Sequence, residues 1–209
     1  MRLHVWGQAP NPRRVKIYLA EKGVSLPTQD AGDGYKLSAE YTGRYGYALV
    51  PMLELDDGTQ IGEAMAICRY FETLHPDPPL MGTSAKDKAL IEMWERRAYD
   101  EGLIGAAEVF RNTHPAFADR SIPGYPDPVP QVPALVTRGR QRLKKFFDTF
   151  DRQLEANEFV VGDRISVADI TALCSIDFGA KLAKVPMPDE YRHLHRWYDM
   201  MCARPSASA

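Results

Sequence analysis

Two short stretches of this chain carry residue types that could hold and activate an anion. In Gly62-Glu63-Ala64 an acidic residue stands at the expected start of a helix. The exposed backbone N–H groups and positive dipole end of a helix form a ready anion site. Glu63 can equally serve as an acid that stabilises the helix N-terminus by about 0.3–1 kcal/mol, and the two roles are compatible. In Trp6-Gly7-Gln8-Ala9-Pro10-Asn11-Pro12, Asn11 brings an amide with two donors to a helix expected near Pro12. Proline suits the first helical turn. Asparagine is also among the best N-cap residues, so a capping role stands beside a ligand role.

Other chemistry-bearing types read differently. Ser166-x-x-Asp169 is a capping box, so Asp169 has a folding role. His4, His75, His114, His193 and His195 show no metal-ligand spacing. Cys68, Cys174 and Cys202 are odd in number and form no CxxC pair, which excludes a zinc site and a disulfide framework and fits a reducing cytoplasm. No metal is expected. The aromatic run Phe146-Phe147-Asp148-Thr149-Phe150 has the spacing of core, not of a site.

The elements that must position these groups follow from periodicity. Arg2–Trp6 alternates as a strand, and 13–23 groups Val15, Ile17, Tyr18 and Leu19 on one helical face before Gly23. A strand at 25–29 and a short helix at 37–41 follow. Met52–Leu55, the Asp57-Gly58 turn and Thr59–Ile61 form a hairpin, and a helix follows it. Pro51 stands directly before the hairpin, where a proline fits because it is the strand's first residue. From Lys86 onward only helices are expected. These are one long helix or two joined pieces over 86–112, a proline-rich surface excursion over 113–133, a striped helix to residue 157, a buried helix from Ser166, and a last helix over 190–202.

The 209 residues can bury a substantial core, and 44% apolar with 26% charged residues is ordinary for a globular protein. A net charge of −2 argues against nucleic acid as a partner. The apolar runs are far short of a membrane span, and the N-terminus has no signal-peptide core.

Taken in order, "APNPRRVKIYLAEKG", "VPMLELDDGTQIGEAMAICRYFE", "MWERR" and "FVVGDRISVADITAL" resemble the cytosolic glutathione transferase family, in particular its bacterial two-domain members, over essentially the whole chain. The resemblance implies an α/β N-terminal thioredoxin-like domain (β-α-β-α-β-β-α) over 1–76, a linker over 77–87, and an all-α C-terminal helical bundle over 88–209. It also implies a homodimer, a cytoplasmic detoxifying role, and glutathione as co-substrate.

By that resemblance the Val50-Pro51 bond is cis, and the Val50 backbone pairs with the cysteinyl unit of glutathione as an added strand. On residue type alone a trans proline is the commoner case, since roughly 5–6% of X-Pro bonds are cis. The family places an acid followed by a serine on the γ-glutamyl end of glutathione. Here these are Glu63 and Ala64, so one hydroxyl is missing. Ala9 stands where a catalytic serine is usual and cannot donate. The thiolate-holding role therefore passes to Asn11, as in bacterial members with an asparagine in this loop.

Trp6, Ala9 and Pro10 should wall the substrate, with Arg96, Tyr99 and Phe110 from the long helix over them; Arg13 would add field or lie on the surface. The implied reaction is conjugation of glutathione to a small hydrophobic electrophile. The missing hydroxyls at 9 and 64 leave open a glutathione-binding protein without turnover. A specialised peroxidase, dehalogenase, isomerase or ether-cleaving enzyme also stays open.

Overall fold

The computed structural model describes every residue except Gln8, Tyr47 and Pro126, with Asp33 and Lys36 described in their backbone alone. Strands β1 (Arg2–Val5), β2 (Thr28–Asp30), β3 (Met52–Glu54) and β4 (Gln60–Gly62) form one mixed sheet in the order β2-β1-β3-β4. β1 and β2 are parallel, joined by the crossover helix α1 (Pro10–Glu21); β3 and β4 are antiparallel additions. The strand-helix-strand start and the hairpin are those expected from the sequence.

Strand alternation divides the sheet's two faces. Leu3 pairs with Leu53 and both point into the main core, with Val15, Ile17 and Tyr18 of α1 and Ile67 and Phe71 of α4 (Ala64–Leu74). Their neighbours His4 and Met52 point the other way, against Tyr41 and Tyr45 of α3 (Ala39–Tyr45). One-residue alternation therefore buries both faces.

The segment before β3 holds two short helices where one was expected, α2 (Asp33–Lys36) and α3. Ser38 caps α3 by accepting from the Tyr41 N–H at 3.1 Å, and Gly46 ends it with a positive φ of 76°. β2 lies at 28–30 instead of 25–29. All three of its residues are exposed at the sheet edge, so no alternation of burial marks it.

The helical half contains α5 (Ala85–Arg97), a π-helical stretch Ala98–Leu103, α6 (Ile104–Arg111), α7 (Pro133–Leu154), α8 (Val167–Lys181) and α9 (Arg192–Cys202). The expected long helix is thus a continuous run interrupted by π geometry. Its cause lies on another helix. Ser175 Oγ shares its one proton between the Thr171 carbonyl at 2.8 Å and the Ala98 carbonyl at 3.2 Å, and Gly102 lies so close to α8 that an added Cβ would stand 2.8 Å from that of Ser175.

α8 is buried on every side from Val167 to Gly179, as its apolar sequence requires. Its capping box forms: Asp169 accepts from the Ser166 N–H and Oγ, and also from Val160 N–H and Trp197 Nε1. Among the described residues no helix is long and apolar enough to cross a membrane.

Candidate functional site

A cleft of about 330 Å³ opens between the loop after β1, the chain leading into β3, and the helical half. Trp6, Ala9, Pro10, Asn11 and Val50 line it from one side and Phe110 from the other, so six of the sequence-expected residues meet in one place. The Val50-Pro51 bond is cis, as the family resemblance implied. Val50 lies ahead of β3, and among the described residues its backbone makes no hydrogen bond.

α1 begins at Pro10, earlier than Pro12, which moves Asn11 into the first turn. The N-cap is Ala9, which makes no side-chain cap bond, so Asn11 is not the cap. Its side chain does something else. Asn11 Oδ1 accepts from Arg14 Nη1 at 3.0 Å. A guanidinium has donors only, so the amide must turn its carbonyl toward Arg14 and its NH₂ away from it.

Arg14 is itself fixed. Its side chain is buried, donates to Thr171 Oγ1 at 3.0 Å, pairs with Glu95, and lies 5.4 Å from the Tyr99 ring centre. Thr171 also donates to Glu95 at 3.1 Å. Burial pushes the Glu95 carboxyl up, and the adjacent Arg14 charge opposes that shift. Three helices, α1, α5 and α8, thereby hold one amide in one orientation.

Glu63 and Ala64 open α4 but do not line this cleft. Glu63 has φ of 62°, in the left-handed region that costs a non-glycine residue free energy and that tends to mark ligand sites. It makes no side-chain cap bond, so the first turn of α4 has no side-chain cap.

Two expected wall residues stand elsewhere. Arg96 is 65% exposed and pairs with Asp100 at 2.8 Å on the outer face. Tyr99 packs between the guanidinium groups of Arg14 and Arg96. The π stretch is the reason: it shifts the phase of the helix, so Leu103, Phe110 and Arg111 face the cleft in their stead. Arg13 is neither wall nor free surface; it pairs with Asp177 at 2.7 Å and ties α1 to α8.

Several wall residues escaped sequence reasoning. His114, Phe117, Arg120 and Gly124 come from the proline-rich excursion, and Phe178 and Leu182 from the end of α8. The excursion folds back over the cleft through an Arg120–Val129 bridge, and Gly124 approaches Leu49 so closely that an added Cβ would stand 3.1 Å from its Cγ. The seven-residue spacing of Leu103 and Phe110 was the available signal.

Known proteins bear on this arrangement. Residues 9–74 match the glutathione S-transferase N-terminal domain family, and residues 114–205 the C-terminal domain family. Glutathione S-transferase 2 of Saccharomyces cerevisiae is 33% identical over 201 residues, covering 94% of this chain and 83% of that protein. A glutathione S-transferase domain-containing protein of Marinobacter aquaeolei superposes with a TM-score of 0.89 at 32% identity, over 99% of this chain and 100% of that one. Gtt2 of Saccharomyces cerevisiae does so with a TM-score of 0.86 at 31% identity, over 100% and 99%. With its mixed sheet, its helical half and both matched domains, the chain belongs to the glutathione S-transferase family of enzymes.

Proposed function

We propose that residues 1–76 bind glutathione, that Asn11 holds its thiolate, and that residues 88–209, beyond a linker over 77–87, supply the site for a small hydrophobic electrophile. The observation that carries this reading is the forced orientation of the Asn11 amide, whose Oδ1 is taken by Arg14, leaving Nδ2–H for the cleft that Asn11 lines. A free cysteine thiol titrates near ~8.5. A donor at Asn11, with the N-terminal dipole of α1 behind it, favours the anion.

The peptide backbone of glutathione would pair with Val50, beside the cis Pro51. Its γ-glutamyl end would reach the open N-terminus of α4, with Glu63 facing the ammonium group and the Ala64 N–H facing the carboxylate. Trp6, Ala9, Pro10 and Phe110 would wall the sulfur and the electrophile. Catalysis then consists of positioning and of stabilising the thiolate. A homodimer and a cytoplasmic, detoxifying role complete the reading.

The test is titration calorimetry with glutathione, followed by an ultraviolet pH titration of the bound thiol and turnover with a panel of electrophiles. Binding with a thiol pKa below the free value supports the proposal; no binding refutes it. The missing hydroxyls at Ala9 and Ala64 favour one second reading, a glutathione-binding protein without turnover. Binding with no turnover across the panel would establish it.

A further inference from the structure

The charge in the cleft is one-sided. Among the described residues no Asp or Glu lines it, while Arg111 and Arg120 do. Arg111 closes α6 and is half-buried. The other arginines withdrawn from solvent each meet a carboxylate: Arg13 meets Asp177, Arg14 Glu95, Arg142 Glu108 and Arg204 Glu21. Among the described residues Arg111 forms no ion pair and no side-chain hydrogen bond. Desolvation by the surrounding protein draws its pKa below the usual arginine value, against a weaker opposing effect of the Tyr99 phenol. A desolvated charge left without a partner is costly, and a cavity wall is where a ligand can supply the partner.

Leu103, Phe110, Phe117 and Phe178 line the same cleft. Phe110 meets Phe117 and Phe178 edge-on at 5.2 and 5.6 Å between ring centres. His114 adds a polar ring. Its Nδ1 accepts from the Ala116 N–H at 3.2 Å, which places the proton of the neutral ring on Nε2. The pattern is an apolar wall that carries two guanidinium groups, Arg111 half-buried and Arg120 exposed.

We infer that the second substrate of this site is an amphipathic electrophile, an aromatic or apolar body carrying a carboxylate or sulfonate that Arg111 binds. This deepens the transferase reading and rests on it for the word substrate. A planar guanidinium pairs with such an oxyanion through two parallel N–H donors, and the low-dielectric wall strengthens the pair.

The probes are 4-chloro-3-nitrobenzoate and its neutral amide, which share a ring and a leaving group. Calorimetric dissociation constants without glutathione should favour the acid by about tenfold or more, the scale of a hydrogen-bonded charge. Arg111→Met should erase that preference, and Arg111→Lys should restore part of it. With glutathione present, the ratio of kcat/KM for acid over amide should follow the same order.

Equal affinity of the wild-type protein for acid and amide overturns the inference, and that measurement needs no variant. So does a preference that survives Arg111→Met. A loss of glutathione affinity in Arg111→Met with the acid-to-amide ratio untouched would also overturn it, by assigning the guanidinium to glutathione. Failure of the wild-type protein to bind glutathione would refute the transferase reading and leave the acid-to-amide comparison still decisive for Arg111.

Discussion

Removing the Asn11 amide should raise the pKa of enzyme-bound glutathione by about one to two units. The figure comes from a single contact. Because Arg14 Nη1 occupies Asn11 Oδ1 at 3.0 Å, only Nδ2–H is left for the cleft. A hydrogen bond to a charged acceptor contributes about 1.5–3 kcal/mol, and one pKa unit is 1.36 kcal/mol of differential stabilisation. The sign is upward, because the lost donor favoured the anion. At a pH below the shifted value, kcat/KM should fall by roughly ten- to a hundredfold, in step with the lost thiolate.

Asn11→Ala and Asn11→Asp together separate this role from a merely structural one. Aspartate suits the first turn of a helix and can also accept from Arg14, so a structural role predicts a nearly silent Asn11→Asp. The donor role predicts the opposite. One carboxylate oxygen would turn to Arg14, and the other would place an acceptor and negative charge beside the sulfur, raising the thiol pKa at least as far as Asn11→Ala does. Arg14→Lys keeps a charge beside Glu95 but loses the fork that reaches Asn11 and Thr171 at once. The bound-thiol pKa should then lie between the wild-type and Asn11→Ala values. The assay is the ultraviolet absorbance of bound thiolate against pH. An unchanged pKa in Asn11→Ala, or a wild-type pKa in Asn11→Asp, would refute the reasoning.

Ala64→Ser restores a hydroxyl at the first residue of α4 and should tighten glutathione binding by about tenfold; an unchanged calorimetric dissociation constant would show that the carboxylate does not lie there. Asp169→Asn sets an NH₂ against two of the donors that converge on Asp169. It should cost at least about 2 kcal/mol, or roughly 4–8 °C in Tm for a chain of this size, and an unchanged melt would contradict the network. Burial draws the His4 pKa below its ordinary 6.5, against the raising effect of Glu54, and no described group accepts from Nδ1. The unfolded chain therefore binds a proton that the folded one rejects, and stability should fall as pH drops through 6.5 toward the folded value. His4→Gln should flatten that part of the pH profile in urea melts, and parallel wild-type and variant profiles would count against it.

The legible parts of the fold were those whose burial repeats along the chain. The face of α1 and the hairpin at Asp57-Gly58 impose a period and a turn that residue types display directly, and α8 shows its burial as an unbroken apolar run. β2 was placed poorly because it is a fully exposed edge strand and has no burial period to show. Arg96 and Tyr99 were assigned to the wrong surface because the phase of their helix changes in the Ala98–Leu103 stretch. That change depends on Ser175 and on the absence of a side chain at Gly102, neither of which is a local signal.

The site divides along the same line. Asn11 was identifiable by type, since an amide in that loop can donate. Its competence depends on which end of the amide faces the cleft, and no property of residues 6–12 decides that. Arg14 decides it, and Arg14 is fixed by Glu95 and Thr171, which lie 81 and 157 positions further along the chain. Arg111 is the converse case. A lone arginine at a helix end reads as solvated surface, and only the folded cleft, which it lines together with Phe110 and Phe178 and without a carboxylate among the described residues, makes it a candidate for a ligand. Donor direction and unbalanced charge are both properties of contacts between distant segments. On the proposed reading they are also the two features that set the specificity of this cleft, so substitutions at Glu95 or Phe178 should alter thiol pKa and substrate charge preference without touching either substrate's reacting atoms.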